Sequence, residues 1–196
     1  MAEIRSTIDM VMERAARMAA ESKEDTSGET AIREGMRLAA EYLQQEEGNL
    51  LDALEKCRQE DRKTILQGML ETLLRNIVLP RDQILLQSSM KALAAVVEIA
   101  PESVAAACSE LQQLLSQYTQ HKEQMKNQLD DAIRSQLEQK LAQQGTQLTE
   151  EMSINPAMHP QYKEELERMI TGLNGQYNEA LDQRKTLIRR QSLASL

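Results

Sequence analysis

The residues able to do acid–base, metal or nucleophilic chemistry in this chain are few and scattered. His121 and His159 are its two histidines, and Cys57 and Cys108 its two cysteines. Metal sites need such ligands at short helical or loop spacings. No ExxH, HExxH, HxH or CxxC spacing occurs, so neither a metal nor a cofactor is expected. Ser88-Ser-Met-Lys91 matches the SxxK pattern of a serine nucleophile, but its SDN and KTG companions are absent. Ser88 falls inside an expected helix and is read as a small core-facing residue. Neighbouring carboxylates such as Glu46-Glu47 and Glu164-Glu165 read as solvated helix faces. No GxGxxG or GxxxxGK[ST] loop is available to cradle a phosphate. Arg189-Arg-Gln-Ser192 resembles a basophilic phosphorylation site, yet basic residues in a last helical turn are already explained by the macrodipole.

Composition narrows the elements that could position such residues. The chain has 196 residues, 41% of them hydrophobic and 28% charged, with a net charge of −8. Those values fit a packed soluble protein, and the acidic balance disfavours nucleic acid and anionic membrane as partners. Seven Gly and four Pro are too few turn formers for a many-stranded β protein. The opening MAEIRSTIDM carries charges that argue against a secretory signal. No apolar run approaches the roughly 20 residues of a membrane-spanning helix. Two isolated cysteines suit a reducing compartment, and a cytoplasmic location is expected.

Apolar spacing of three and four residues predicts helices throughout. The first covers Glu3–Ala20, and residues 22–28 read as a polar linker. Thr26 and Glu29 form a capping box for a helix over Glu29–Glu47. Asn49 caps a third helix, to Arg58. The polar run Arg58–Lys63 is either a turn or the waist of one longer helix. A fourth helix ends at Pro80, and Asp82 caps a fifth over Gln83–Ile99. These two, apolar around most of their axes, are expected at the centre of the core. Pro101 opens an uninterrupted helix to Gln144, followed by a loop over 145–159 and a last helix from Pro160 to about Arg190.

The expected fold is therefore all-α, a five-helix bundle over 1–100 with a long antiparallel coiled-coil-like hairpin over 101–196. A helix of that length spans roughly 65 Å, beyond the roughly 40 Å diameter of a compact domain of this size. One register pairs Leu141 with Tyr162, Leu137 with Leu166, Ile133 with Ile170, Leu129 with Leu173, Met125 with Tyr177 and Leu115 with Ile188. It leaves Lys122 opposite Leu181 and Tyr118 opposite Lys185, and brings His121 near Asp182. Gly172 and Gly175 then call for a compensating close approach beside Ala132.

The stretches Leu73-Leu-Arg-Asn-Ile-Val-Leu-Pro-Arg-Asp82 and Ser6-Thr-Ile-Asp-Met-Val-Met-Glu-Arg14 resemble segments of uncharacterised helical proteins from anaerobic bacteria. The resemblance covers the first half of the chain. It implies a helical fold and attaches no activity.

The function these features favour is non-enzymatic: a protein–protein interaction or scaffold protein acting through a projecting hairpin. Leu148, Met152, Ile154 and Met158, apolar residues in the hairpin loop, are the candidate partner contacts. A homodimer is expected, because Val104, Ala107, Cys108 and Leu111 extend the apolar face beyond what the last helix covers. The alternative is an enzyme with a carboxylate and Arg75 or Arg81 inside the bundle. A third reading, surface binding through Arg184, Lys185, Arg189 and Arg190, opposes the charge of the rest of the chain.

Overall fold

The computed structural model describes residues 28–45, 48–143 and 155–194. Among these the protein is all-α, with no strand. Six helices follow in order: α1 (described over 28–44), α2 (Leu50–Glu55), α3 (Arg62–Asn76), α4 (Gln83–Ile99), α5 (Ala105–Gln143) and α6 (Tyr162–Ala194). Short 3-10 turns at Glu102–Val104 and Pro156–Met158 precede the last two. The helix expected over Glu3–Ala20 and the Thr26 capping box lie outside the described residues.

Contacts divide the chain into two units. The first draws on Met1–Ile77, Lys91–Val104 and Arg189–Leu196; the second on Val78–Met90 and Ala105–Ile188.

In the first unit, Asn49 caps α2, its side chain accepting from the Leu51 and Asp52 amides. The polar run after α2 is a turn, so the third and fourth expected helices are separate. Arg62 holds that turn by donating to the carbonyls of Glu55 and Cys57, which α2 leaves unpaired. α3 stops at Asn76 rather than running to Pro80. Ile77 is extended and wholly buried, and the Asn76 side chain donates to the Thr72 carbonyl. Ile65, Met69, Leu73 and Leu74 carry the buried face of α3.

α1 and α3 cross at two glycines. A Cβ on Gly35 would lie 2.0 Å from the Ile65 carbonyl oxygen, and one on Gly68 2.1 Å from the Ile32 carbonyl oxygen. Neither place admits a side chain, so backbone meets backbone. The crossing is reciprocal, and the sequence repeats with it: Ile32-Arg-Glu-Gly35-Met36 and Ile65-Leu-Gln-Gly68-Met69 share Ile-x-x-Gly-Met. At the far end of α1, Lys91 donates to the Leu43 carbonyl at 3.3 Å and to that of Gln45, satisfying helix-terminal acceptors.

In the second unit, Asp82 caps α4 by accepting from the Leu85 amide at 2.9 Å. Ser89, fully buried, accepts from the Val78 amide and donates to the Val78 carbonyl. α4 is less enclosed than expected: Ile84 is 77% exposed, and in the first unit Val97 is 52% exposed.

α5 has 39 residues, about 58 Å. It runs antiparallel to α6, as the pairs Glu110–Arg184, Tyr118–Asn174, His121–Tyr177 and Asp130–Tyr162 show. The register differs from the expected one by about eight residues, roughly two turns. Ile133 packs with Tyr162 rather than Ile170, and His121 meets Tyr177 rather than Asp182. Gly172 and Gly175 face open space, so no close approach compensates them. α6 continues to Ala194, four residues past the expected end. Val104, Ala107, Cys108 and Leu111 are all buried within the single chain, which removes the surplus apolar face that motivated a dimer.

Candidate interaction surface

Three of the chain's four tyrosines stand on α5 and α6. The heptad spacing of the apolar residues between them turns each tyrosine toward the opposite helix. Tyr118, buried, donates to Asn174 Oδ1 at 2.7 Å. Tyr162 donates to Asp130 Oδ1 at 2.6 Å, next to the apolar cluster of Leu129 and Ile133. The Tyr177 hydroxyl and His121 Nδ1 lie 2.6 Å apart, and the Tyr118 and Tyr177 rings meet edge to face at 5.4 Å. Burial pushes the Tyr118 and Tyr177 hydroxyls above their ordinary range. The Tyr162 hydroxyl is raised chiefly by its bond to Asp130, then by burial and the carboxylate charge. All three stay protonated at neutral pH, which suits donors better than acids or nucleophiles.

An open groove of about 350 Å3 follows this pair of helices. Glu110, Gln113, Leu114 and Gln117 line it from α5, and Gln176, Tyr177, Ala180 and Arg184 from α6. These positions span about two helical turns on each helix. Arg184 Nε donates to Glu110 Oε2 at 2.9 Å, so the only two charges along the groove neutralise each other.

The first unit has a smaller cleft, about 210 Å3, among Ile32, Met36, Gln67 and Leu70. Glu71 and Arg189 also line it, joined by two bonds of 3.0 and 3.3 Å. Arg75 is exposed and 3.9 Å from Glu71.

Of the residues singled out from sequence, Leu148, Met152 and Ile154 lie outside the described residues. Met158 is 82% exposed at the end of its 3-10 turn. Ser88 is exposed rather than core-facing; Ser89 takes that role. Lys91 serves helix carbonyls, as described above, and the Arg81 carbonyl accepts from Lys122. His159 accepts from the Gln161 amide. Ser192 is 2% exposed, out of reach of a modifying enzyme in this state. Arg184 and Arg189 are committed to ion pairs, which weakens the basic-tail reading. Cys57 and Cys108 are free thiols, and burial raises Cys108 above its ordinary range.

Sequence reasoning missed the groove because Gln113, Gln117 and Gln176 carry no catalytic or metal-binding signature and because it exists only in the observed pairing of α5 with α6. The Gly35/Gly68 crossing was missed as well, and the signal that could have pointed to it is the repeated Ile-x-x-Gly-Met, 33 residues apart.

Among the described residues, no group of three or more His, Cys, Asp and Glu is placed to hold a metal ion. None of their helices is long and apolar enough to cross a membrane. Comparison with curated proteins and with solved structures finds no match. A family model does match, over residues 51–190. That span includes Leu73–Asp82 but not Ser6–Arg14, so the kinship lies mainly beyond the first half of the chain, where the resemblance had been placed. With well over half of its length matched, the chain belongs to DUF6657, a family of unknown function.

Proposed function

We propose that this protein is a non-enzymatic interaction or scaffold protein working through its paired long helices. One observation carries the reading: the groove between α5 and α6. Small-molecule sites enclose most of their ligand. This groove is open along its length, with Leu114, Ala180 and the Tyr177 ring as apolar floor and glutamine amides as walls. Such a channel suits a helix laid along it, whose apolar residues meet the floor while its polar flanks meet the amides. The exposed Met158 extends the same reading to the segment that joins the helices, with Leu148, Met152 and Ile154, which lie outside the described residues, proposed as further contacts. Two unpaired thiols support the cytoplasm as the working compartment.

The test places a photo-reactive amino acid at Gln113 or Gln176, on opposite walls, and at the exposed Gln139 as control. The same adduct from both walls and none from Gln139 is the expected result. No adduct above the control would overturn the reading.

The alternative is an enzyme with a carboxylate/arginine site in the bundle, and its best residues are Glu71 and Arg189 beside the first unit's cleft. Their mutual bonds occupy both groups, so a substrate must displace one of them. A ligand that raises the melting temperature of the wild type but not of Glu71→Gln would favour it.

A further inference from the structure

We infer that the occupant of the α5/α6 groove is the same groove of a second copy of this chain, the two helix pairs meeting face to face about a two-fold axis. The inference rests on the interaction reading and names the partner.

Charge is the first argument. A chain of net charge −8 repels its own copies, so a neutral strip is the face on which self-association costs least. The groove is such a strip, since Glu110 and Arg184 cancel and the remaining lining residues carry no charge. A two-fold axis also lets each Arg184 meet the other copy's Glu110 with the same sign relation.

Chemistry is the second. A glutamine amide carries both donors and an acceptor, so a glutamine face is complementary to itself. Along α5 the stripe runs beyond the groove: Gln113, Gln117, Gln120, Gln124 and Gln128 recur at steps of three and four, all exposed. Leu114 and Ala180 supply small apolar contacts beneath the amides.

Size sets the strength. From Gln113 to Gln128 the strip is about 23 Å long, and two helices are about 20 Å wide. Two copies therefore bury roughly 900 Å2 in total, the scale of a weak, concentration-dependent dimer.

The experiment is sedimentation equilibrium of the full chain at high micromolar concentration. It compares wild type, Q113E/Q117E, Q113K/Q117K, and an equal mixture of the two variants. The expected wild type has twice the 22.2 kDa of one chain. Each variant places four like charges in the strip and raises the dissociation constant at least about tenfold. The mixture, with opposite charges facing, regains the double mass, which shows that the separate variants are folded.

A wild type that stays at 22.2 kDa overturns the inference. So do variants that remain dimeric, or a mixture that stays monomeric. A monomeric wild type whose Gln113 and Gln176 positions still cross-link to one other protein would overturn self-pairing and leave the interaction reading standing.

Discussion

The α1/α3 crossing of the first unit and the α5/α6 pair of the second solve one problem by opposite means. At Gly35 and Gly68 the helices touch through bare backbone. In α5/α6 they are held apart by side chains, and tyrosine hydroxyls reach across to Asn174, Asp130 and His121. Bare contact fixes a position absolutely, since a shift by one residue brings a side chain into a carbonyl. A leucine seam repeats every seven residues and tolerates sliding by a heptad, so polar bonds must choose the alignment.

The largest effect should come from filling the crossing. Gly35→Ala or Gly68→Ala places a Cβ against a backbone oxygen that cannot rotate away, and should cost about 3 kcal/mol or more in urea unfolding. A loss under about 1 kcal/mol would show that the backbones are not in contact.

In the second unit, Leu137 packs against the Leu129–Ile133–Tyr162 cluster while Gln139 is exposed. Leu137→Asp should cost about 2–3 kcal/mol and Gln139→Asp under about 0.5. Equal thermal shifts would remove the cluster from the seam.

The polar bonds come next. A double-mutant cycle of Tyr118→Phe and Asn174→Ala should give a coupling of about 1 kcal/mol. Zero coupling would mean another alignment.

Opposite in sign, Gly172→Ala and Gly175→Ala should each raise stability by about 0.5–1 kcal/mol, because both positions are helical and open. A destabilisation there would place something against that face.

The smallest effect is in pH. The folded-state pKa of Tyr162 lies above its ordinary value of 10.0, so its contribution is full below that pH and fades as pH rises through the folded value. The alkaline decline in melting temperature should be shallower in Tyr162→Phe than in wild type.

The same contrast explains what the sequence made legible. Gln83–Ile99 and the caps at Asn49 and Asp82 were readable because propensity and capping act within a few residues. The pairing of α5 with α6 was readable in direction but not in alignment, because shifting a heptad repeat by about two turns keeps the apolar residues inside. The tie-breakers were polar. Lys122 opposite Leu181 and Tyr118 opposite Lys185 were the mismatches of the expected alignment, and the observed one gives Tyr118 an amide partner instead. Of the candidate contacts, only Met158 falls on described residues, and the groove between the helices depends on that alignment.

The order in which the chain visits its two units has a consequence for synthesis. The first unit includes residues from Arg189 onward, and the Glu71–Arg189 pair joins positions 118 residues apart. Domains generally fold as they leave the ribosome, N-terminal parts first. Here α1 and α3 emerge early, yet their unit waits for the last turns of α6, with Arg189 following everything the second unit needs. The nascent first unit therefore lacks these residues while the whole of α5 is made. The Glu71–Arg189 pair that lines the first unit's cleft is therefore among the last contacts of that unit to form.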